Sequence, residues 1–189
     1  MASVDLARAT IDDLYKEKGK AELIGGRIVR FMAHGRAPSI VSFRIASSLD
    51  AHAQRTGKGE AHPDGLGYHI PEIASGRESF EPDASYYDGP LPANPMRFIY
   101  GPPTFATEVR SENDYGEAAE VEMADKRADY FAAGTLAIWD VDPVAKTIAV
   151  YRNGQAHQPS AVFAAGDTAD AEPAVPGWRL PVDALFAGL

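Results

Sequence analysis

The stretch from Thr104 to Val141 constrains the fold more than any other part of the chain. Thr104-Phe-Ala-Thr-Glu-Val109 is a short apolar run, the length and composition of a buried strand. Gly116 to Ala133 has helical spacing and stops at Gly134. Leu136-Ala-Ile-Trp-Asp-Val141 is a second apolar strand, closed by Asp142-Pro143. Strand, helix and strand in that order make a unit whose helix packs back on a sheet.

The remainder must supply the rest of that sheet. Ser3 can cap a first helix, with Leu6, Ile11, Leu14 and Tyr15 near helical spacing and an end before Gly19. In Glu22-Leu-Ile-Gly-Gly-Arg-Ile-Val-Arg-Phe-Met32 two apolar runs flank Gly25-Gly26, and paired glycines supply the positive backbone angles of a tight hairpin. Pro38 and Ser39 open a second helix that runs to about Arg55, with Ile40, Val41, Phe43, Ile45, Ala46 and Leu49 as its apolar side. From Gly57 to Pro103 the pattern is strand-like and broken by glycine and proline. Ile148-Ala-Val-Tyr151 precedes a hairpin signal at Asn153-Gly154, and a proline-rich tail leads to a short closing helix. Hairpins come first and the strand–helix–strand unit later. The expected class is α/β (α+β), a mixed central sheet flanked by helices with additional β-hairpins. At 189 residues, one domain over residues 1–189 is expected.

Composition removes several chemistries. The absence of cysteine excludes a disulfide scaffold, a thiolate zinc site, an iron–sulfur cluster and a cysteine nucleophile. No apolar run approaches the roughly 20 residues of a membrane span, and the first twenty residues lack the apolar core of a signal peptide. The expectation is a soluble, cytoplasmic protein with no membrane partner. The net charge of −9 argues against a generic nucleic-acid coat. Yet Arg27, Arg30, Arg36, Arg44, Arg55 and Lys58 fall in one stretch with only Asp50 and Glu60. That stretch is either a basic face able to meet phosphate or a solvated surface. His34, His52, His62, His69 and His157 read as loop and surface residues; seven residues between His62 and His69 is no ligand spacing.

Lys126 is the most informative single residue. On the third helix it shares a side with Ala119, Met123, Tyr130 and Ala133. A lysine on an apolar stripe either snorkels to solvent beside Arg127 or finds an acidic partner. Glu108 lies in the strand just before that helix, which can bring the two together, or it faces outward. Asp83, after Pro82, reads as a turn residue, or as the start of a strand beside the one that bears Glu108. In the second case two carboxylates converge on a pocket of hard oxygen ligands suited to Mg²⁺ or Mn²⁺, with a lysine beside them. Such a set fits metal-dependent phosphodiester hydrolysis.

Five pieces occur in order: Glu22-Leu-Ile-Gly-Gly-Arg-Ile-Val29; Glu81-Pro-Asp-Ala84; Thr107-Glu-Val109 with Ser111-Glu-Asn-Asp114; Lys126-Arg-Ala-Asp-Tyr-Phe-Ala-Ala-Gly134; and Ile138-Trp-Asp-Val-Asp-Pro143. Together they resemble the Uma-type restriction endonucleases, a bacterial group in the PD-(D/E)XK nuclease superfamily, from about Leu14 to the closing Pro176-Gly-Trp-Arg-Leu-Pro181 and Leu185-Phe186. The resemblance implies a restriction-endonuclease-like fold and a Mg-dependent endonuclease acting on DNA. It implies Asp83 and Glu108 as metal ligands completed by the Val109 carbonyl, with Lys126 as the catalytic lysine on the following helix and Glu22 as a further acid. The implied cofactor is Mg²⁺ or Mn²⁺ and the implied partner is DNA.

This chain also departs from the pattern. Pro38-Ser39 stand where the family has a histidine, and His34 and Arg36 do not match it. Gly25-Gly26 replace an Asp-Gly turn. Arg110 follows Glu-Val, where it either takes the place of the superfamily's more usual lysine or competes with the metal. Glu112 and Asp114 add negative charge near the pocket. The rival expectation is therefore a catalytically inactive nuclease-fold domain in nucleic-acid or protein binding, as a monomer or a homodimer. There the acids and Lys126 form a structural ion-pair cluster. A small-molecule-binding α/β protein is a third reading.

Overall fold

The structure is a computed structural model, and it describes residues 8–152 and 154–189. The strands β8 (Phe105–Val109) and β9 (Ala137–Asp142) are parallel neighbours, in register from Phe105↔Ala137 to Val109↔Val141, and helix α3 (Glu117–Ala133) crosses between them. Gly116 and Gly134 bound that helix, both at positive φ, and the Gly134 amide closes it on the Tyr130 and Phe131 carbonyls.

Around this pair the remaining long strands add antiparallel. β6 (Ala84–Tyr87) joins β8, and β3 (Glu60–Pro63) joins β6 at one edge. β10 (Thr147–Arg152) joins β9, and β11 (Ala161–Phe163) ends the other edge. The result is a six-stranded mixed sheet in the order β11-β10-β9-β8-β6-β3, as expected of the mixed class.

Two cores form because residues alternate across the sheet. One face carries Phe105, Val109, Trp139, Val141 and Val150 against helix α2 (Arg36–Thr56). The buried positions of α2 (Pro38, Val41, Ile45, Leu49, His52) repeat at helical spacing. Pro38 sits in the first turn, where a missing N–H breaks no helical bond. The hairpin of β12 (Thr168–Asp170) and β13 (Arg179–Pro181), with helix α4 (Val182–Phe186), closes this face, and Trp178 stacks on Trp139 at 4.7 Å between ring centroids. The other face carries Ala106, Ile138 and Tyr151 against α3. It is finished by a small sheet of β4 (Tyr68–His69), β5 (Ser79–Phe80) and β7 (Ile99–Tyr100).

Helix α1 (Ile11–Leu14) and the hairpin of β1 (Ala21–Ile24) and β2 (Arg27–Arg30) make a third, smaller cluster around Leu14, Ala21 and Leu23. The turn is Gly25-Gly26, with φ of 58° and 67°. β1 is stitched to the start of β5 by Glu78 N–H donating to the Leu23 carbonyl and Leu23 N–H to Ser79 Oγ.

Several local expectations are revised. Helix α1 starts at a Thr10–Asp13 capping box rather than at Ser3, and Ser3 and Leu6 lie outside the described residues. α2 starts at Arg36, two residues before Pro38, and its Phe43 is 67% exposed rather than packed. Asn153 lies outside the described residues. The β10–β11 connection is longer than a two-residue turn, because Val150 already pairs with Ala161. No described helix is long and apolar enough to cross a membrane.

Candidate active site

Asp83 lies immediately before β6, and Glu108 is the penultimate residue of β8. Because these strands run antiparallel, the start of one meets the end of the other: the Asp83 amide donates to the Thr107 carbonyl (3.0 Å) and Asp83 Oδ2 accepts from the Val109 amide (2.7 Å). Lys126, from α3, donates to Glu108 Oε2 at 2.9 Å and lies 3.2 Å from Glu22 Oε1. Glu22, Asp83, Glu108, Val109 and Lys126 all line one cleft of about 940 Å³. The sequence-predicted set is thus brought together from β1, the head of β6, the end of β8 and the middle of α3.

Glu22 is fully buried and both its oxygens are engaged. Oε1 accepts from the Glu81 amide (3.0 Å) and faces Lys126, while Oε2 accepts from the Arg77 guanidinium. Burial pushes this carboxyl up, but Lys126, Arg77 and the Glu81 amide outweigh it and hold it below the usual range. Glu108 goes the other way. Burial, with Asp83 nearby, prevails over Lys126 and pushes its carboxyl up. Burial also opposes charge on Lys126, but Glu108 and Glu22 keep that ammonium above its ordinary value.

The third helix does not pack as the stripe predicted. Its buried residues are Ala124, Arg127 and Tyr130, while Met123 and Lys126 lie on the flank that faces the cleft. Lys126 therefore does not snorkel, and Arg127 is the cation in the interior. Arg127 donates to Asp140 Oδ2 (2.8 Å), Glu120 Oε1 (2.8 Å) and the Ala156 carbonyl (2.9 Å). Arg110 closes its fork on the same Asp140, at 2.8 and 2.7 Å, and on Glu120 at 2.9 Å. A bidentate pair fixes a guanidinium in direction. Arg110 thus lies at the cleft wall, directed at Asp140 and Glu120 rather than at Asp83 or Glu108.

Four groups at the site escaped the sequence reading. Lys20 Nζ lies 2.5 Å from Asp83 Oδ1 and 2.9 Å from Asp64 Oδ1. His34, read as a loop or surface residue, has Nε2 3.5 Å from Asp83 Oδ1 and Nδ1 3.9 Å from Asp64 Oδ2. Ligand atoms of His34, Asp64 and Asp83 all lie within 4.8 Å of one another. Tyr130 donates to Glu108 Oε1 at 2.6 Å. Two of these had a signal: Tyr130 is one turn beyond Lys126, and Lys20 stands two residues before Glu22, at the approach to β1. His34 and Asp64 come from separate loops, and nothing local pairs them.

The basic stretch is divided. Arg30 and Arg36 line the cleft, and Arg27 is exposed on the hairpin. Arg44 donates to the Leu185 carbonyl and Arg55 pairs with His52, so both serve the α2 packing instead. Glu112 and Asp114 also line the cleft, with Asp114 capping the turn through the Ser111 amide and hydroxyl.

The donor set suits a hard divalent cation. Asp83 and Glu108 offer carboxylate oxygens within a concave pocket.

Comparison with known proteins gives the arrangement its context. The chain matches no curated protein. It is similar in structure to a protein of Anabaena variabilis ATCC 29413 described as "a putative nuclease belonging to DUF820". The TM-score is 0.72 at 20% identity, over 94% of this chain and 97% of that one. That likeness concerns the fold. A family model, Uma2, described as "Putative restriction endonuclease", matches residues 8–183, and the chain belongs to this family.

Proposed function

We propose that this protein is a Mg²⁺- or Mn²⁺-dependent endonuclease that hydrolyses DNA phosphodiester bonds. The observation that carries the reading is the meeting of Asp83, Glu108 and Lys126 in one cleft, across an antiparallel strand pair and its packed helix. Asp83, Glu108 and the Val109 carbonyl would hold the cation. When bound, such an ion polarises a phosphoryl oxygen and acidifies water. Lys126 has three N–H donors. One is directed at Glu108 and Glu22 lies 3.2 Å away, which leaves at least one to orient the attacking water or to meet developing charge on the phosphate. Glu22 acts through Lys126: fully buried and held by the Arg77 guanidinium and the Glu81 amide, it positions the ammonium. Tyr130 fixes the other Glu108 oxygen. Arg30 and Arg36, on the cleft wall, would meet the DNA backbone.

A second reading has its own observation. Lys126 spans Glu108 and Glu22, and Lys20 spans Asp83 and Asp64. Such a neutralising cluster is what an inactive nuclease fold retained for nucleic-acid binding would keep.

Plasmid nicking together with Mn²⁺ binding separates the two. On the enzymatic reading the natural chain nicks DNA only with a divalent cation. Asp83→Ala, Glu108→Ala and Lys126→Ala each reduce the rate by roughly 10²–10³-fold, and only the first two also abolish cation binding. A chain that binds no cation, or variants that nick at the parent rate, would leave the inactive fold as the answer.

A further inference from the structure

Lys20 belongs to none of the roles assigned above, yet it makes the shortest contact to Asp83 of any side chain around it. Of the two Asp83 oxygens, Oδ2 is taken by the Val109 amide, and Oδ1 is the one that holds Lys20 and faces His34. A cation that takes Asp83 as a ligand therefore meets the Lys20 ammonium at Oδ1. The Lys20 side chain is 13% exposed and Asp83 3%, so solvent does little to weaken their attraction. Asp64, at 40% exposed, gives the ammonium a second anchor at 2.9 Å.

Two like charges cannot share one carboxylate oxygen at contact distance without strong repulsion. We propose that Lys20 and the divalent cation are competing partners of Asp83. Lys20 neutralises the carboxylate in the cation-free protein. On cation binding it moves off Oδ1, staying on Asp64 or turning to the phosphate of the substrate in the cleft. The proposal rests on the reading of Asp83 as a cation ligand and adds the regulation of that site. It makes Lys20 a second functional ammonium, on Asp83 as Lys126 is on Glu108. The two lysines differ in kind. Lys126 is held by Glu22, whose other contacts are all internal, whereas Lys20 is held by an exposed aspartate.

The competition is read by binding, without recourse to catalysis. Lys20→Met should bind Mn²⁺ roughly tenfold tighter than the natural chain, the factor carried by about 1.4 kcal/mol. It should have a lower melting temperature without cation, and the gap should close at saturating Mn²⁺. Lys20→Arg, which keeps the charge, should restore the weaker binding. In the natural chain, amine-reactive labelling followed by mass spectrometry should show Lys20 becoming several-fold more reactive on Mn²⁺ addition, with Lys126 unchanged. Equal or weaker Mn²⁺ binding by Lys20→Met, or Lys20 labelling that stays flat while Mn²⁺ binds, overturns the competition and leaves the proposed function intact. Absence of Mn²⁺ binding in both the natural chain and Lys20→Met overturns the two together.

Discussion

Glu22 shows how one residue's surroundings set its part in the site. A carboxylate with no exposure is tolerable only because Arg77, Lys126 and the Glu81 amide supply partners for both oxygens. Its native carboxyl lies below the usual range, so its pairing contributes stability in full above the ordinary glutamate value, about pH 4.3, and loses it as pH falls through the lower native value. Glu22→Gln should therefore cost roughly 3–5 kcal/mol near pH 7, since it strands two buried cations. The gap to the natural chain should narrow steadily below about pH 4.3. Urea unfolding at pH 7, 5, 4 and 3 measures it, and a gap independent of pH would refute the pairing. Lys126 was legible as an anomaly because an ammonium at its helical position demands a partner. Arg127 was not, because adjacent helical residues differ by about 100°, and the spacing alone left the buried stripe uncertain by one residue.

At the scale of elements, the β6–β8 pairing is decisive. Antiparallel neighbours bring the head of one strand to the end of the other, and that alone sets Asp83 beside Val109. The β1–β2 hairpin brings Glu22 on β1 and Lys20 just before it, with Val29 and Arg30 on β2 and Phe31 just after it, to the cleft. Its turn depends on two consecutive residues at positive φ. The space around Gly25 is open, so the backbone rather than crowding decides what is allowed there. Gly25→Asn should cost only a few tenths of a kcal/mol, because asparagine tolerates this conformation, whereas Gly25→Val should cost about 1–2 kcal/mol. Thermal unfolding of the two variants gives the comparison, and equal losses would argue against the turn as the cause. This hairpin, the α3 limits and the strand–helix–strand unit were all legible, since each depends on local signals. α1 starts at Thr10 because a reciprocal Thr10–Asp13 capping box forms there, and α2 starts two residues ahead of Pro38 because proline is tolerated anywhere in a first turn.

Over the whole molecule, charge and its placement diverge. The chain is −9 overall, yet Arg30 and Arg36 line the cleft and Arg27 stands exposed on the hairpin. Arg30 shares an exposed ion pair with Glu17, which costs little to break, so about three phosphates have an evident partner and DNA affinity should fall with salt at a log–log slope of roughly −3. Fluorescence anisotropy across a salt series measures this, and a slope near zero would remove the phosphate contacts altogether. Arg44 and Arg55 should not contribute, being committed to Leu185 and His52. Glu22 entered only through the family resemblance; by itself the sequence determined the mixed class, the strand–helix–strand unit, the glycine hairpin, and the candidacy of Asp83, Glu108 and Lys126. Those follow from periodicity, turn chemistry and the rarity of charge in apolar runs, all of which act over a few residues. Tertiary structure alone decided that Lys20, Asp64 and His34 gather at Asp83, that Arg110 turns to Asp140, and that on α3 Arg127 rather than Lys126 enters the interior. Those are through-space pairings between distant segments, and electrostatic attraction selects them only after the chain has brought the segments together.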